Sequence, residues 1–180
     1  RLARFAHALG VIPSLIKDLL QRSEDIRLVA EKYHDMRHIL FLGRRYNVAT
    51  AYEGALKLKE VSYIHAEGYA AGEMKHGPLA MIDTDFPVLA IAPQDSVYEK
   101  MISNVEEVRA RGGPVIMLAT DNDPRAAAIA GDVIWLPDVC EELSPIVAAV
   151  ALQLFAYHMG VGLGYDVDKP RNLAKSVTVE

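Results

Sequence analysis

Short apolar runs alternate along this chain with longer segments of helical spacing. Four runs are apolar almost throughout and too short for helices: residues 39–42, 87–92, 114–119 and 132–136. Runs of this kind are typical of strands buried on both faces of a parallel sheet. Strands that alternate with helices are joined by crossover connections that cover both faces. We therefore predict an α/β fold, a three-layer α/β/α sandwich around a five-stranded parallel sheet with flavodoxin-like order.

The intervening segments divide the chain into three parts. Helices are predicted over residues 1–36, 48–66, 96–111, 124–130 and 144–160. Ser14 is a candidate N-cap within the first segment. Gly112 and Gly113 end the third, because glycine readily takes the left-handed conformation that closes a helix. We predict an N-terminal helical segment (1–36), one α/β domain (37–164) and a polar tail (165–180) that contains Pro170.

Composition narrows the class of protein. The chain has 180 residues, is 51% hydrophobic and carries a formal charge of -5. This suits one packed domain, and without a basic surplus we expect no binding to nucleic acid. Cys140 is the single cysteine, which excludes an internal disulfide and fits the cytoplasm. The longest apolar stretch, 146–163, contains Gln153 and His158, so it predicts a helix buried against the sheet rather than a membrane span. The chain begins at Arg1 rather than methionine, as a piece of a longer protein would.

The loops after the strands are the first places to look for a ligand in such a sheet. Arg44 and Arg45 follow the first strand and precede a helix, where they either attract an anion or lie solvated on the surface. No Gly-rich phosphate loop and no dinucleotide fingerprint follows a strand, so we expect no nucleotide cofactor. His34 and His38 are four residues apart but lack a third ligand; we read them as surface residues and expect no metal site.

Two further segments carry candidate chemistry. Glu53, Lys57 and Glu60 share one face of the second helix, a pattern that periodicity alone would explain as surface salt bridges. His76 lies beside Gly77 and Pro78 on irregular backbone, where it is either catalytic or packed in the loop. His65, assigned to the same helix as Glu60, and His158 are read as structural.

The same segments carry a resemblance. Residues 53–60 (EGALKLKE), 73–80 (EMKHGPLA) and 166–180, ending in PRNLAKSVTVE, resemble the isomerase half of the glutamine–fructose-6-phosphate aminotransferases. The tail motif is specific to them, whereas the other two are shared among sugar isomerase domains. The resemblance covers nearly the whole chain and corresponds to the second of two such domains.

The resemblance implies a reaction and a set of roles. These enzymes transfer ammonia from glutamine to fructose 6-phosphate and isomerise the resulting imine to glucosamine 6-phosphate. By this likeness Glu60 is the base that moves the proton, and Lys57 lies one turn back and either tunes it or holds the developing charge. His76 assists ring opening, and Lys175 reacts with the open-chain ketone or stabilises its oxygen. Ala174 and Lys175 bind substrate, no cofactor is needed, and Glu53 has no clear role.

The chain also departs from the family pattern. It lacks the Ser/Thr-rich loop that holds the sugar phosphate in the first isomerase domain, and Arg44 and Arg45 stand there instead. It lacks the glutaminase domain, and Cys140 is internal. We therefore expect sugar phosphate as ligand, the missing domains as partners, an inactive fragment and a homodimer in which His76 serves the neighbouring subunit. The alternative is a non-catalytic, sugar-phosphate-binding regulatory domain.

Overall fold

A five-stranded parallel sheet forms the centre of the computed structural model, which describes residues 2–173. Its strands are β1 (His38–Gly43), β2 (His65–Ala70), β3 (Val88–Ala92), β4 (Val115–Thr120) and β5 (Asp132–Leu136). All pairs are parallel, and the strand order is β2-β1-β3-β4-β5. The α/β fold with a five-stranded parallel sheet is confirmed.

Six helices surround the sheet in the described part of the chain. They are α1 (Leu2–Gln21), α2 (Ser23–Glu31), α3 (Asn47–Ser62), α4 (Tyr98–Arg109), α5 (Pro124–Ile129) and α6 (Ser144–Gly162). Two short 3-10 helices, Ala71–His76 and Pro78–Met81, lie between β2 and β3. Below, Ala71–His76 is called the His76 segment.

Alternate strand residues pack on opposite faces of the sheet, which creates two cores. Ile39 and Phe41 of β1 pack with α2, α3 and α6, whereas Leu40 and Leu42 pack with α4 and the His76 segment. The period of two along a strand sends successive side chains to opposite faces. Because both faces are covered, the apolar runs of the three inner strands β1, β3 and β4 have no polar side.

Helix α6 is long and apolar enough, by length and composition alone, to cross a membrane. In this fold its buried residues, including Val147, Leu152 and Phe155, pack in the core. It packs tightly against α3 at Gly54, where an added Cβ would lie 2.6 Å from Leu152 Cδ1. The helix therefore behaves as the buried element that its sequence predicted.

The structure corrects three local predictions. Helix α3 ends at Ser62, and His65 begins strand β2 instead of lying in that helix. Ser14 lies inside the continuous helix α1, where its hydroxyl donates to the carbonyl of Val11, so it caps nothing. The helical segment predicted over 1–36 ends with α2 at Glu31. The division into 1–36, 37–164 and 165–180 stays a prediction.

Strand β2 was missed because its sequence lacks an apolar run. It lies at the edge of the sheet, and only Ala66 of its six residues is buried. Gly68 allows its backbone to approach α3, since a Cβ there would lie 2.6 Å from Cα of Tyr52. The strand is therefore defined by its pairing with β1 and its contact with α3.

Candidate functional site

An ion pair occupies the last two turns of α3. Lys57 Nζ donates to Glu60 Oε2 at 2.7 Å, and both side chains are about one-third exposed. The hydrogen bond to Glu60, assisted by the charges of Glu60 and Glu53, raises the pKa of Lys57 above its ordinary value. Lys57 therefore remains a cation beside the carboxylate, which can accept a proton from a ligand on this face.

The C-terminal tail contacts the end of α3, close to this ion pair. Tyr63 closes α3 in a left-handed conformation with φ of 62°. Its hydroxyl accepts a hydrogen bond from the backbone N–H of Arg171 at 2.9 Å, and the Arg171 guanidinium stacks 4.0 Å from the ring centroid. Tyr165 meets the same ring edge-on at 4.7 Å. The tail thus contacts Tyr63, which closes α3 and follows Glu60 by three positions in the sequence.

Ala174 and Lys175 lie outside the described residues. Tyr63 and Tyr165 were not singled out from the sequence because they belong to no motif, and Arg171 was noted only as part of the tail motif, without a role of its own.

A cavity of about 220 Å³ adjoins the ion pair. Helices α3 and α6 and the start of the tail form its wall, with the lining residues Lys57, Val61, Gln153, Ala156, Tyr157, Val167 and Asp168. The lining combines an amine, an amide, a carboxylate and a phenol with apolar side chains. Such a surface fits a small polar molecule.

His76 is far from Glu60 within one chain. Helix α3 begins at the carboxyl edge of the sheet and ends at the amino edge, where β2 starts, while His76 follows the other end of β2. The six residues of β2 span roughly 20 Å. The His76 side chain is 74% exposed, and its Nε2 lies 3.7 Å from Glu73 Oε2. The structure therefore brings Lys57, Glu60 and the tail together and leaves His76 at the opposite edge.

The loops at the carboxyl edge hold a different network. Arg45 donates to Glu141 Oε1 and to Ser96 Oγ, both at 2.5 Å, while the Ser96 N–H donates to Glu141 Oε2 at 3.0 Å. The hydrogen bonds from Ser96, together with the charge of Arg45, lower the pKa of Glu141. Arg44 donates to Asn104 Oδ1 at 3.0 Å. Both arginines thus have protein partners, so neither is simply solvated.

Three other histidines take part in packing. His34 is half-buried, and a Cβ at Gly162 would fall 2.1 Å from its Cε1. His38 is also half-buried, with its ring 4.4 Å from that of Phe86. The reading of these two as surface residues is therefore wrong. His158 shares a hydrogen bond of 2.8 Å with Ser23 Oγ, joining α6 to α2.

Comparison with known proteins defines the class. The fold is a doubly wound α/β domain with an ion pair and a docked tail at one end of α3. The model of the SIS domain family matches residues 32–161, and the chain belongs to that family.

The chain is also similar to larger proteins that contain this domain. It is 57% identical over 169 residues to a glutamine–fructose-6-phosphate aminotransferase (isomerizing) of Thermus thermophilus, covering 94% of this chain and 28% of the relative. Identity to the same enzyme of Aquifex aeolicus is 53% over the same coverage. A solved C-terminal domain of glucosamine-fructose-6-phosphate aminotransferase from Francisella tularensis superimposes with a TM-score of 0.86 at 38% identity, over 94% of this chain and 48% of that one. The chain thus spans somewhat more than a quarter of the curated relatives.

Proposed function

We propose that this chain is the second sugar isomerase domain of a cytoplasmic glutamine–fructose-6-phosphate aminotransferase. The observation that carries the proposal is the Lys57–Glu60 pair beside the docked tail. The identity of 57% to an aminotransferase that bears this activity in its name supports the same assignment. The ligand is a sugar phosphate, and the first isomerase domain and a glutaminase domain are the partners.

Each residue has a chemical role in this proposal. The imine at C2 of fructose 6-phosphate becomes an amine when one proton moves from C1 to C2 and a second moves from the C1 hydroxyl to the nitrogen, which leaves an aldehyde at C1. The Glu60 carboxylate accepts the proton from C1 and returns it to C2. Lys57 keeps that carboxylate ionised and oriented, and Lys175 holds the open-chain oxygen, with Ala174 beside it. His76 protonates the ring oxygen of a sugar bound to the neighbouring subunit.

The test is Glu60→Gln in the full-length protein, with ammonia supplied as the nitrogen donor. Loss of a general base lowers kcat by about 10²- to 10⁴-fold. Lys59→Gln is the matched control, because Lys59 is exposed on the same helix. Full turnover by the Glu60→Gln protein would contradict the role of Glu60.

The isolated chain is expected to be inactive. It lacks a Ser/Thr-rich loop after β1, where Arg44 and Arg45 already bond to Asn104 and Glu141. Purified residues 1–180 should form no glucosamine 6-phosphate from fructose 6-phosphate and ammonia. Turnover at a rate near that of the full-length protein would overturn this expectation.

A non-catalytic regulatory domain is the competing function. It would bind sugar phosphate and change the activity of a partner without turnover. The full-length protein decides between the two: glucosamine 6-phosphate formation that depends on Glu60 supports the enzyme, whereas sugar-phosphate binding with no turnover supports the regulator.

A further inference from the structure

The His76 segment has three faces because a 3-10 helix has three residues per turn, which places residues i and i+3 on one side. Ala71 and Met74 form the first face, Gly72 and Lys75 the second, and Glu73 and His76 the third. The described contacts follow this division.

The first face is buried. Ala71 and Met74 are both 0% exposed and belong to the core that includes Met101 and Val105 of α4. These side chains fix the depth of the segment on the domain. They also determine which face turns inward, but apolar contacts are non-directional, so the exact rotation of the segment about its own axis depends on other contacts.

The second face bonds to α4. Lys75 Nζ lies 2.8 Å from Glu107 Oε1, and the Glu107 side chain is only 27% exposed. The other carboxylate oxygen, Oε2, is buried and has no hydrogen-bond partner in the described part of the chain. A half-buried carboxylate with one unsatisfied oxygen depends strongly on the cation at its other oxygen.

Arg44 lies beside this second face of the His76 segment. A Cβ added at Gly72 would lie 3.5 Å from the nearer guanidinium nitrogen of Arg44, while Arg44 Nε donates to Asn104 Oδ1 at 3.0 Å. Asn104 and Glu107 are three residues apart on α4, so they share one face. The segment is therefore bonded to α4 through Lys75 and Glu107, and Arg44, which bonds to Asn104 on the same face of α4, lies beside Gly72.

We propose that the Lys75–Glu107 ion pair, braced by Arg44 and Asn104, positions His76 by fixing the rotation of its segment. Lys75 and Glu107 are positioning residues, and neither touches the substrate. With the second face held on α4, the third face points His76 away from its own domain. This inference rests on the proposed role of His76 in the neighbouring subunit.

The experiment measures kcat and KM for fructose 6-phosphate in the full-length protein with ammonia as donor. Glu107→Gln and Lys75→Gln should each lower kcat by roughly 5- to 50-fold, because small displacements of a catalytic group are costly. KM should change less than about two-fold, since the substrate is bound by other residues. Lys75→Arg preserves the charge and should restore most of kcat. Glu106→Gln, its exposed neighbour on α4, is the control that leaves kcat unchanged.

A double-mutant cycle separates positioning from general stability. In a His76→Asn background, Glu107→Gln should cause no further loss of kcat, because the group that it positions is gone. An equal further loss in that background would overturn the inference.

The cycle also separates this inference from the proposed function. If His76→Asn lowers kcat and Glu107→Gln and Lys75→Gln do not, the positioning role is wrong and the role of His76 stands. If His76→Asn leaves kcat unchanged, the proposed role of His76 fails and the positioning role fails with it.

Discussion

Tyr63 connects two parts of the candidate site at the scale of a single residue. Its ring supports Arg171 and Tyr165, and its hydroxyl accepts the Arg171 N–H. The left-handed backbone at this position is unfavourable for a non-glycine residue by about 1–2 kcal/mol. The tail contacts offset part of that cost, so the residue links the end of α3 to the segment that leads to Lys175.

Removal of the Tyr63 ring should release the tail. Tyr63→Ala eliminates the stacking, worth about 0.5–1 kcal/mol at an exposed site, and the hydrogen bond, worth about 1 kcal/mol. We expect kcat of the full-length protein to fall several-fold through loss of the docked tail, with a smaller decrease for Tyr63→Phe, which keeps the ring. The rate of limited proteolysis at the peptide bond after Arg171 measures directly whether the tail stays bound to Tyr63. Equal proteolysis rates in Tyr63→Ala and the unmodified protein would contradict this prediction.

His158 should make folding stability depend on pH. Burial, followed by the nearby charge of Arg27, lowers its pKa below the ordinary 6.5, while Glu24 and Glu31 oppose the shift. The unfolded chain therefore binds the proton more readily, and stability is lost as pH falls from about 6.5 toward the folded pKa. Melting temperatures of His158→Gln should fall less between neutral pH and about pH 5.5 than those of the unmodified chain. An identical slope for the two proteins would show that another group is responsible.

At the scale of elements, the position of β2 affects both Glu60 and His76. It follows the helix that carries Glu60 and precedes the segment that carries His76. Its edge position and partly exposed side chains give it little apolar burial of its own. Its place depends instead on pairing with β1 and on the close contact between Gly68 and α3.

Gly68→Ala tests that contact. The added Cβ would fall within 2.8 Å of backbone atoms of Ala51 and Tyr52, which cannot move as a side-chain tip can. Overpacking of this kind reduces the free energy of unfolding by about 1–3 kcal/mol, measured by urea denaturation. Gly10→Ala is the matched control: nothing lies within 4 Å of its Cβ, and helix propensity favours alanine by up to about 1 kcal/mol. An unchanged stability for Gly68→Ala would mean that β2 can move away from α3 freely.

At the scale of the whole molecule, some large apolar side chains lie outside the core and remain exposed. Helix α6 buries one side yet exposes Ile146, Tyr157 and Val161, and α1 exposes Phe5 and Leu9. Exposed apolar groups on one molecule are typical of contact surfaces. The simpler explanation, that α6 is apolar only because it is central to its own core, does not account for these exposed side chains.

We predict a two-fold homodimer with His76 near the subunit boundary. Sedimentation at micromolar concentration should give the dimer mass, and Tyr157→Glu with Val161→Lys should shift it toward monomer. Mixed full-length subunits provide the functional readout. If His76 acts on its neighbour, combining Glu60→Gln and His76→Asn subunits restores roughly a quarter of the activity, because half of the dimers then hold one complete site. A strictly monomeric protein, or no recovery on mixing, would refute the prediction.

The sequence alone determined the elements that bury apolar runs. The strands β1, β3 and β4 follow from continuous hydrophobic segments because they are buried on both faces. The apolar runs of the edge strand β5 and of the helix α6 predicted these elements as well. It also indicated the Lys57–Glu60 pair, since spacing of three or four residues on a helix is a local property.

Only the tertiary structure decided what depends on distant partners. Strand β2 and the position of His65 follow from pairing with β1, and the partners of Arg44, Arg45 and Lys75 come from other loops and helices. The direction of α3 relative to β2 separates Glu60 from His76, and Tyr63 binds the tail at the end of α3. These contacts join residues up to 108 positions apart. The periodicity of the sequence depends only on residues that are near neighbours along the chain. The candidate site is therefore assembled by tertiary packing.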